Sequence, residues 1–181
     1  MRNFINSLTV FRILVAPIIF LLIVAENNHL ITLFLFILAA LSDFWDGYLA
    51  RKYKFETVFG EILDPIADKI LLAFMLLGFT VYFNSIYIGF FGGIILSREF
   101  LISALRDYNS KNDINVTKVT FLAKIKTSVQ FFTFLIYLLG IIFDNGLIIL
   151  IGNLFLLIAL IITLQTGIKY TVNTINFMNK T

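Results

Sequence analysis

The sequence contains no cysteine, and it has only two prolines and one histidine in 181 residues. Without cysteine the chain can form neither disulfides nor thiolate metal sites, and it has no cysteine nucleophile. The one histidine, His29, lies in a polar turn, which argues against histidine acid–base chemistry. Charged residues are also scarce, at 14%, whereas 60% of the residues are hydrophobic and the mean hydropathy is +0.95. Soluble domains are less apolar than this, so the composition indicates a membrane protein.

Apolar stretches long enough to cross a bilayer occur six times along the chain. A spanning helix needs about 20 residues, and lipid offers no hydrogen-bond partner to open strand edges. We therefore predict an all-α integral membrane protein, a single domain over residues 1–181 with six transmembrane helices. The predicted spans are residues 8–25, 30–49, 62–83, 86–105, 121–143 and 146–168.

The distribution of the 14 lysines and arginines predicts the orientation in the membrane. The connectors after helices one, three and five contain none of them, whereas all 14 fall at the two termini or in and around the other connectors. By the positive-inside rule, both termini and the even-numbered connectors face the cytoplasm. The net charge is only +3, and the cations are interleaved with membrane-length apolar segments, so a nucleic-acid partner is not expected.

Four aspartates lie at the predicted cytoplasmic ends of helices two and three, namely Asp43, Asp46, Asp64 and Asp68. At about 100° per residue, each pair falls on one arc of its helix together with residues that have little or no side chain. These small residues are Gly47 and Ala50 on helix two and Gly60 on helix three. A short loop joins the two helices, so we expect antiparallel neighbours whose acidic arcs face each other.

Four carboxylates that face one another repel, and they need protons or cations between them. Oxygen ligands without histidine or cysteine suit hard ions, Mg²⁺ or Mn²⁺, which bind through carboxylates and substrate phosphates. The small residues would let a ligand approach the backbone closely. Salt bridges to neighbouring lysines and arginines are the structural alternative. Acids within a membrane protein that are spaced for one pocket favour a functional site.

The segment from Asp43 to Asp68 resembles the signature of the CDP-alcohol phosphotransferase family, because it holds eight fixed positions in one register. They are Asp43, Asp46, Gly47, Ala50, Arg51, Gly60, Asp64 and Asp68. The stretches "NSLTVFRI", "LDPIADK", "SREFLISALRDY" and "AKIKT" are similar to one branch of the family, the phosphatidylglycerophosphate synthases. The resemblance covers nearly the whole chain. It implies six helices with a cytoplasmic catalytic face, a location in the cell's inner membrane, and a homodimer.

The resemblance also implies a reaction and roles for the signature residues. The expected activity is transfer of a phosphatidyl group from CDP-diacylglycerol to sn-glycerol 3-phosphate, a step of phospholipid biosynthesis. The four aspartates would hold the Mg²⁺ or Mn²⁺, and Asp68 would act as general base on the acceptor hydroxyl. Gly47, Ala50 and Gly60 would let the cytidine and its phosphates approach the backbone, and Arg51 would contact the diphosphate.

Four cations on helices four and five are candidates for binding the acceptor's phosphate, namely Arg98, Arg106, Lys124 and Lys126. Guanidinium groups bind phosphate bidentately, and an uncharged acceptor would not need such cations. The alternative is that these side chains extend to lipid headgroups. Arg98 is the stronger candidate because it lies deeper in an apolar run. Lys124 and Lys126 are two residues apart and cannot both face one pocket, so one should matter more.

Three other charged residues near these positions each have two alternative roles. Glu99 and Asp107 directly follow the two arginines and would either orient them or balance their charge. Arg12, in helix one, would serve either the site or the headgroup zone, and the sequence does not decide between these.

Three other functions are compatible with aspartate-rich helices. A small cation transporter would use the acids as an ion path, but such sites often lie at the bilayer midplane between repeated halves, and this sequence shows no repeat. A sister enzyme would use another acceptor, namely inositol phosphate, serine or phosphatidylglycerol. A prenyl-diphosphate transferase would also use aspartates and Mg²⁺, but the spacing of the acids with the glycine, alanine and arginine positions fits that class poorly.

Overall fold

The computed structural model describes residues 2–26, 28–53, 58–112 and 121–178, with side chains described over 7–26, 28–42, 45, 63–112 and 125–178. The described chain is helical apart from short connectors. The helices are α1 Arg2–Val24, α2 His29–Tyr53, α3 Val58–Tyr82, α4 Ile86–Lys111, α5 Phe121–Ile142 and α6 Gly146–Met178. The all-α prediction is confirmed, and each helix contains most of one predicted apolar segment.

The short connectors after α1, α3 and α5 contain residues with positive φ: Glu26 and Asn28 after α1, Asn84 after α3 and Asp144 after α5. Asparagine and aspartate tolerate this left-handed conformation better than other residues with a side chain. Ser85 then caps α4 by accepting a hydrogen bond from the Ile88 backbone N–H at 3.4 Å. At the start of α6, Asn145 Oδ1 accepts from the Leu147 N–H at 2.9 Å. These polar residues allow long apolar helices to reverse direction within a few residues.

The helices pack as two groups of three. In the first group α1 packs against both α2 and α3, and in the second α6 packs against both α4 and α5. Contacts of α3 with α4 and of α2 with α5 join the groups. Within the described residues, α2 and α3 each meet α1 far more than they meet each other. The expected direct pairing of α2 with α3 is therefore not the main contact of either helix.

The core is rich in aromatic side chains, and the outer surface is apolar. Phe79 lies at the centre of the core, with its ring centroid 5.0 Å from Tyr137 and 5.9 Å from Phe134. Large apolar side chains are exposed on all six helices, from Val10 to Met178. An apolar exterior of this extent suits contact with lipid rather than water.

Five helices contain apolar segments long enough to cross a bilayer, while the described apolar part of α2, His29–Ser42, is shorter. The chain is thus a multi-pass membrane protein with five to six apolar helices.

Buried polar side chains gather toward one end of the bundle. Most of them come from the amino-terminal halves of α1 and α5, from the middle and carboxyl-terminal half of α4 and from the carboxyl-terminal half of α6, and include Thr9, Arg12, Arg98, Lys126 and Thr174. The amino-terminal half of α3, with Asp64 and Asp68, contacts this group. Because consecutive helices run in opposite directions, these halves all lie at the same end.

Candidate active site

A cluster of two acids and one arginine joins α3 to α1. Arg12 Nη1 donates a 2.6 Å hydrogen bond to Asp68 Oδ1, and its Nη2 lies 3.6 Å from Asp64 Oδ1. Thr9 Oγ1 donates to the same Asp64 oxygen at 2.6 Å. The Arg12 side chain is fully buried, whereas the side chains of Asp64 and Asp68 are 42% and 48% exposed. Each carboxylate therefore contacts a partner on α1 while part of it stays accessible to a ligand.

Helical spacing explains why these four residues meet. Thr9 and Arg12 are three residues apart, and Asp64 and Asp68 are four apart, so each pair lies on one face of its helix. The packing of α1 against α3 turns these two faces toward each other. Arg12 thus belongs to the acidic site. The sequence alone leaves open whether it serves the site or the headgroup zone.

A cavity of about 200 Å³ opens beside Asp68, between α3, α4 and α5. Its polar lining includes Lys69, Arg98 and Arg106 as well as Asp68. The remaining polar lining residues are Glu99, Ser103, Thr127 and Gln130, and Leu71, Leu72, Ile102, Phe131 and Phe134 form the apolar wall. The cavity is smaller than sites for drug-sized ligands, so it suits a small polar molecule. A carboxylate and three cations can contact such a molecule together.

Arg98 lies in a buried network that crosses three helices. Its Nη1 donates to Glu99 Oε1 at 3.1 Å, and its Nη2 donates to Thr166 Oγ1 on α6 at 2.8 Å. Lys126 Nζ on α5 donates to the same Glu99 oxygen at 2.5 Å. Glu99 therefore orients both cations rather than only balancing charge, because one carboxylate oxygen accepts from each. With Arg98 only 9% exposed, this geometry does not fit a side chain that extends to headgroups.

Arg106 and Lys69 complete the cationic wall of the cavity. The Arg106 guanidinium lies 6.0 Å from the centre of the Tyr170 ring, at the edge of the cation–π range. Lys69 Nζ donates a hydrogen bond to Ser103 Oγ, which ties the end of α3 that carries the acids to α4. Lys69 directly follows Asp68, so the acidic and cationic parts of the site share one helical turn.

Seven predicted site residues have side chains outside the described residues. On α2 they are Asp43, Asp46, Gly47, Ala50 and Arg51; on α3, Gly60; and on α5, Lys124. The four-carboxylate arrangement and the roles of these seven residues therefore stay predictions. Within the described part of the chain, no group of three or more acidic, histidine or cysteine side chains could hold a metal.

Of the predicted residues with described side chains, Asp68, Arg98 and Arg106 line one cavity. Asp64 and Lys126 contact residues of the site, Arg12 and Glu99 respectively. The side chain of Lys126 is described, and that of Lys124 is not. The contacts of Lys126 lie within the network that holds Arg98.

Sequence reasoning missed the contributions of Thr9, Lys69, Ser103 and Thr166. Three of these are hydroxyl residues in apolar helices, where serine and threonine often bond to their own backbone, so nothing in the sequence distinguishes them. Lys69 has a visible signal, its position directly after the last aspartate, but the sequence alone does not distinguish it from a lysine that only forms salt bridges.

A second, apolar groove of about 820 Å³ lies between α4 and α6. Phe90, Ile94, Leu164 and Ile168 contribute to its lining, and Arg98 borders both this groove and the smaller polar cavity. Arg98 therefore lies at the boundary between a polar and an apolar compartment.

The sequence matches the CDP-alcohol phosphatidyltransferase family over residues 2–165. A CDP-diacylglycerol–glycerol-3-phosphate 3-phosphatidyltransferase of Rickettsia typhi is 40% identical over 174 residues, which cover 94% of this chain and 96% of that protein. Proteins of the same name from Wigglesworthia glossinidia brevipalpis and Haemophilus influenzae are 36% and 33% identical. These alignments cover 93% and 90% of this chain and 92% and 88% of the relatives. The chain belongs to the CDP-alcohol phosphatidyltransferase family.

Proposed function

We propose that this protein transfers the phosphatidyl group of CDP-diacylglycerol to sn-glycerol 3-phosphate, which yields phosphatidylglycerophosphate and CMP. Family membership and the names of the relatives support this reaction class. The observation that carries the choice of acceptor is the 200 Å³ cavity, in which Asp68 lies beside Arg98, Arg106 and Lys69. The arrangement offers a base for a hydroxyl and cations for a phosphate on the same small molecule.

The cationic wall favours a phosphorylated acceptor. A phosphate dianion needs several donors at once, and arginine guanidinium groups supply them in a fixed, bidentate geometry. The cavity lining holds three cations against two carboxylates, one of which, Glu99, pairs with Arg98. An uncharged alcohol would leave this excess of positive charge unbalanced in a partly desolvated site, which is unfavourable. Glu99 holds Arg98 and Lys126 in place before the acceptor arrives, so little reorganisation is needed on binding.

The acidic side of the site fits a divalent cation. Asp64 and Asp68 are one helical turn apart, and both contact Arg12 while almost half of each side chain stays exposed, which supports access of a further cation. All the candidate ligands are oxygens, the donors that Mg²⁺ and Mn²⁺ prefer. Asp43, Asp46, Asp64 and Asp68 would hold the ion or ions. When bound, the metal would neutralise charge on the diphosphate and on the departing CMP.

The residues of the chain have separate tasks in the reaction. Asp68, accessible to solvent and fixed by Arg12, accepts the proton of the acceptor hydroxyl. The hydroxyl oxygen attacks the β-phosphorus of CDP-diacylglycerol roughly in line, and a new phosphorus–oxygen bond forms. The bond to the bridging oxygen breaks, and CMP leaves with that electron pair. Arg98 and Arg106 hold the acceptor's own phosphate, so its hydroxyl rather than its phosphate faces Asp68.

The CDP-lipid is placed by residues of the signature. Gly47, Ala50 and Gly60 lie on the same helices as the acids, where small residues permit close approach of the nucleotide to the backbone. Arg51, at the end of this part of α2, would contact the diphosphate. These assignments follow from the family signature.

The proposed setting is the inner membrane, with six spans and both termini in the cytoplasm. The distribution of lysines and arginines supports this orientation. The described polar side chains of the site meet at the end of the bundle that this orientation places on the cytoplasmic side, where glycerol 3-phosphate is available. A homodimer is proposed from the family resemblance.

A panel of acceptors tests the function. The purified chain in detergent is given CDP-diacylglycerol, a divalent cation and one acceptor at a time, and CMP and lipid products are measured. We expect turnover with glycerol 3-phosphate only. Turnover with inositol phosphate, serine or phosphatidylglycerol instead would refute the acceptor but keep the reaction class. Cation flux in liposomes without any CMP release would favour a transporter.

Two variants test the assigned roles within the same assay. Asp68→Asn should abolish CMP release while metal-dependent nucleotide binding is partly retained. Arg98→Ala should raise the KM for glycerol 3-phosphate much more than the KM for CDP-diacylglycerol. Lys169→Ala removes an exposed cation from α6, outside the cavity, and is the matched control. An equal loss for both substrates in Arg98→Ala would indicate a structural effect.

A further inference from the structure

The side chain of Arg98 lies between two residues of α6. Its Nη2 donates to Thr166 Oγ1 at 2.8 Å. A Cβ atom added to Gly167 would lie 2.9 Å from both Cγ and Nε of Arg98. Carbon atoms essentially never come this close without a shift of one partner. The absence of a side chain at Gly167 therefore leaves the space in which the stem of Arg98 lies.

Thr166 is oriented to accept rather than to donate toward Arg98. Its hydroxyl donates to the Ile162 carbonyl oxygen at 2.8 Å, one turn earlier in α6. This bond directs the hydroxyl hydrogen toward the helix backbone and leaves an oxygen lone pair for the guanidinium. Glu99 holds the other terminal nitrogen of Arg98. The guanidinium plane is thus fixed at two corners, by α4 on one side and by α6 on the other.

The position of Arg98 decides which compartment its charge faces. The same side chain borders both the polar cavity with Asp68 and the apolar groove between α4 and α6, and Gly167 lines that groove. A small displacement of the stem would move the guanidinium along this boundary. A fixed position matters here because the acceptor's phosphate must be held so that the hydroxyl of the same molecule lies at the general base.

We propose that Thr166 and Gly167 are positioning residues for Arg98, and that α6 thereby determines the affinity of the site for the phosphorylated acceptor. The inference rests on the proposed function, since Arg98 is taken to bind the acceptor's phosphate. Neither residue would touch the substrate, and both would act through the placement of one guanidinium group.

The test measures separate kinetic constants for both substrates with the purified full-length chain. Gly167→Ala should raise the KM for glycerol 3-phosphate about tenfold or more, as expected when a charge-assisted hydrogen bond is misaligned. The KM for CDP-diacylglycerol should stay within about twofold, because Arg98 lies on the acceptor side. Gly93→Ala is the matched control, because it lies in the same groove and a Cβ there meets nothing within 4 Å.

Thr166 provides a second variant that does not add volume. Thr166→Val keeps the shape but removes the acceptor oxygen, and it should also raise the KM for glycerol 3-phosphate. Thr166→Ser keeps the hydroxyl and should restore the wild-type value. A double variant, Gly167→Ala with Arg98→Ala, should be no worse than Arg98→Ala alone, because the two changes act on one group.

The outcomes separate the two proposals. If the wild-type chain does not use glycerol 3-phosphate, the proposed function fails. If the wild type does use it, but both Gly167→Ala and Thr166→Val keep its KM, the inference about α6 is wrong. Losses that add fully in the double variant, or that fall equally on both substrates, would also overturn it.

Discussion

Replacing Arg12 with methionine tests the least expected part of the site. The substitution removes a fully buried guanidinium that donates to Asp68 at 2.6 Å and lies 3.6 Å from Asp64. A hydrogen bond to a charged group contributes about 1.5–3 kcal/mol. If that contribution holds Asp68 in position for proton transfer, its loss should lower kcat roughly 10- to 100-fold. The KM for glycerol 3-phosphate should change little, because the cationic wall is intact.

Stability should respond much less than activity in this variant. The two acids are almost half exposed, so water can solvate them when Arg12 is lost. Removing a buried charge also removes its desolvation penalty, which offsets much of the lost pairing. We therefore expect the free energy of unfolding to change by no more than about 1–2 kcal/mol, far less than a buried pair broken on one side.

The assay compares CMP release and thermal unfolding for Arg12→Met, Arg12→Lys and Leu14→Met in detergent. Lysine keeps the charge but lacks the planar fork that reaches both acids, so its kcat should fall between wild type and Arg12→Met. Leu14 is an exposed residue of the same helix and should tolerate methionine. A kcat within twofold of wild type for Arg12→Met would refute the role of Arg12. An equal loss in Leu14→Met would show a general sensitivity of α1.

Three further predictions concern the Glu99 network, a close helix packing contact and the dependence on divalent cations. Lys126→Met should raise the KM for glycerol 3-phosphate about tenfold by loosening the Glu99 network, and Lys124→Met should have a smaller effect; the reverse order in kinetic assays would contradict this. Gly152→Ala should lower the apparent Tm, at a cost of about 1–3 kcal/mol, because its Cβ would lie 2.8 Å from the Tyr137 ring, while Gly146→Ala should not. Removal of divalent cations with a chelator should abolish CMP release, and Mg²⁺ or Mn²⁺ should restore it; full turnover without them would refute the metal site.

The helices could be predicted from the sequence because each contains one apolar run, and polar connectors separate these runs. The predicted span 86–105 is contained in α4, and 121–143 coincides with α5 except at its last residue. Helices α4 and α6 continue beyond the predicted spans, to Lys111 and Met178, because polar residues beyond a span can either continue a helix or end it. The acidic signature and Arg98 could be recognised because a charged residue within an apolar run is energetically costly and therefore indicates a functional site.

The partners of these residues could not be predicted, because they depend on which helices pack together. Arg12 meets Asp68 only because α1 packs against α3, and Thr166 meets Arg98 only because α6 packs against α4. Neither contact is local in the chain, and threonine in an apolar helix carries no distinctive pattern. The choice between the two lysines of α5 likewise required knowledge of which face meets Glu99.

The pairing of Arg12 with Asp68 also constrains how the chain is assembled during synthesis. The two residues are separated by 56 positions, so α1 leaves the ribosome well before its acidic partner exists. On insertion scales, an arginine opposes entry of a lone helix into the bilayer by about 2.5–3.5 kcal/mol at the centre of the span, and less toward the end of the span Ser7–Val24 where Arg12 lies. We therefore expect the first helix to reach its final depth together with the third. The residues that prepare the chemistry thus also couple the insertion of two segments that are not adjacent in the chain.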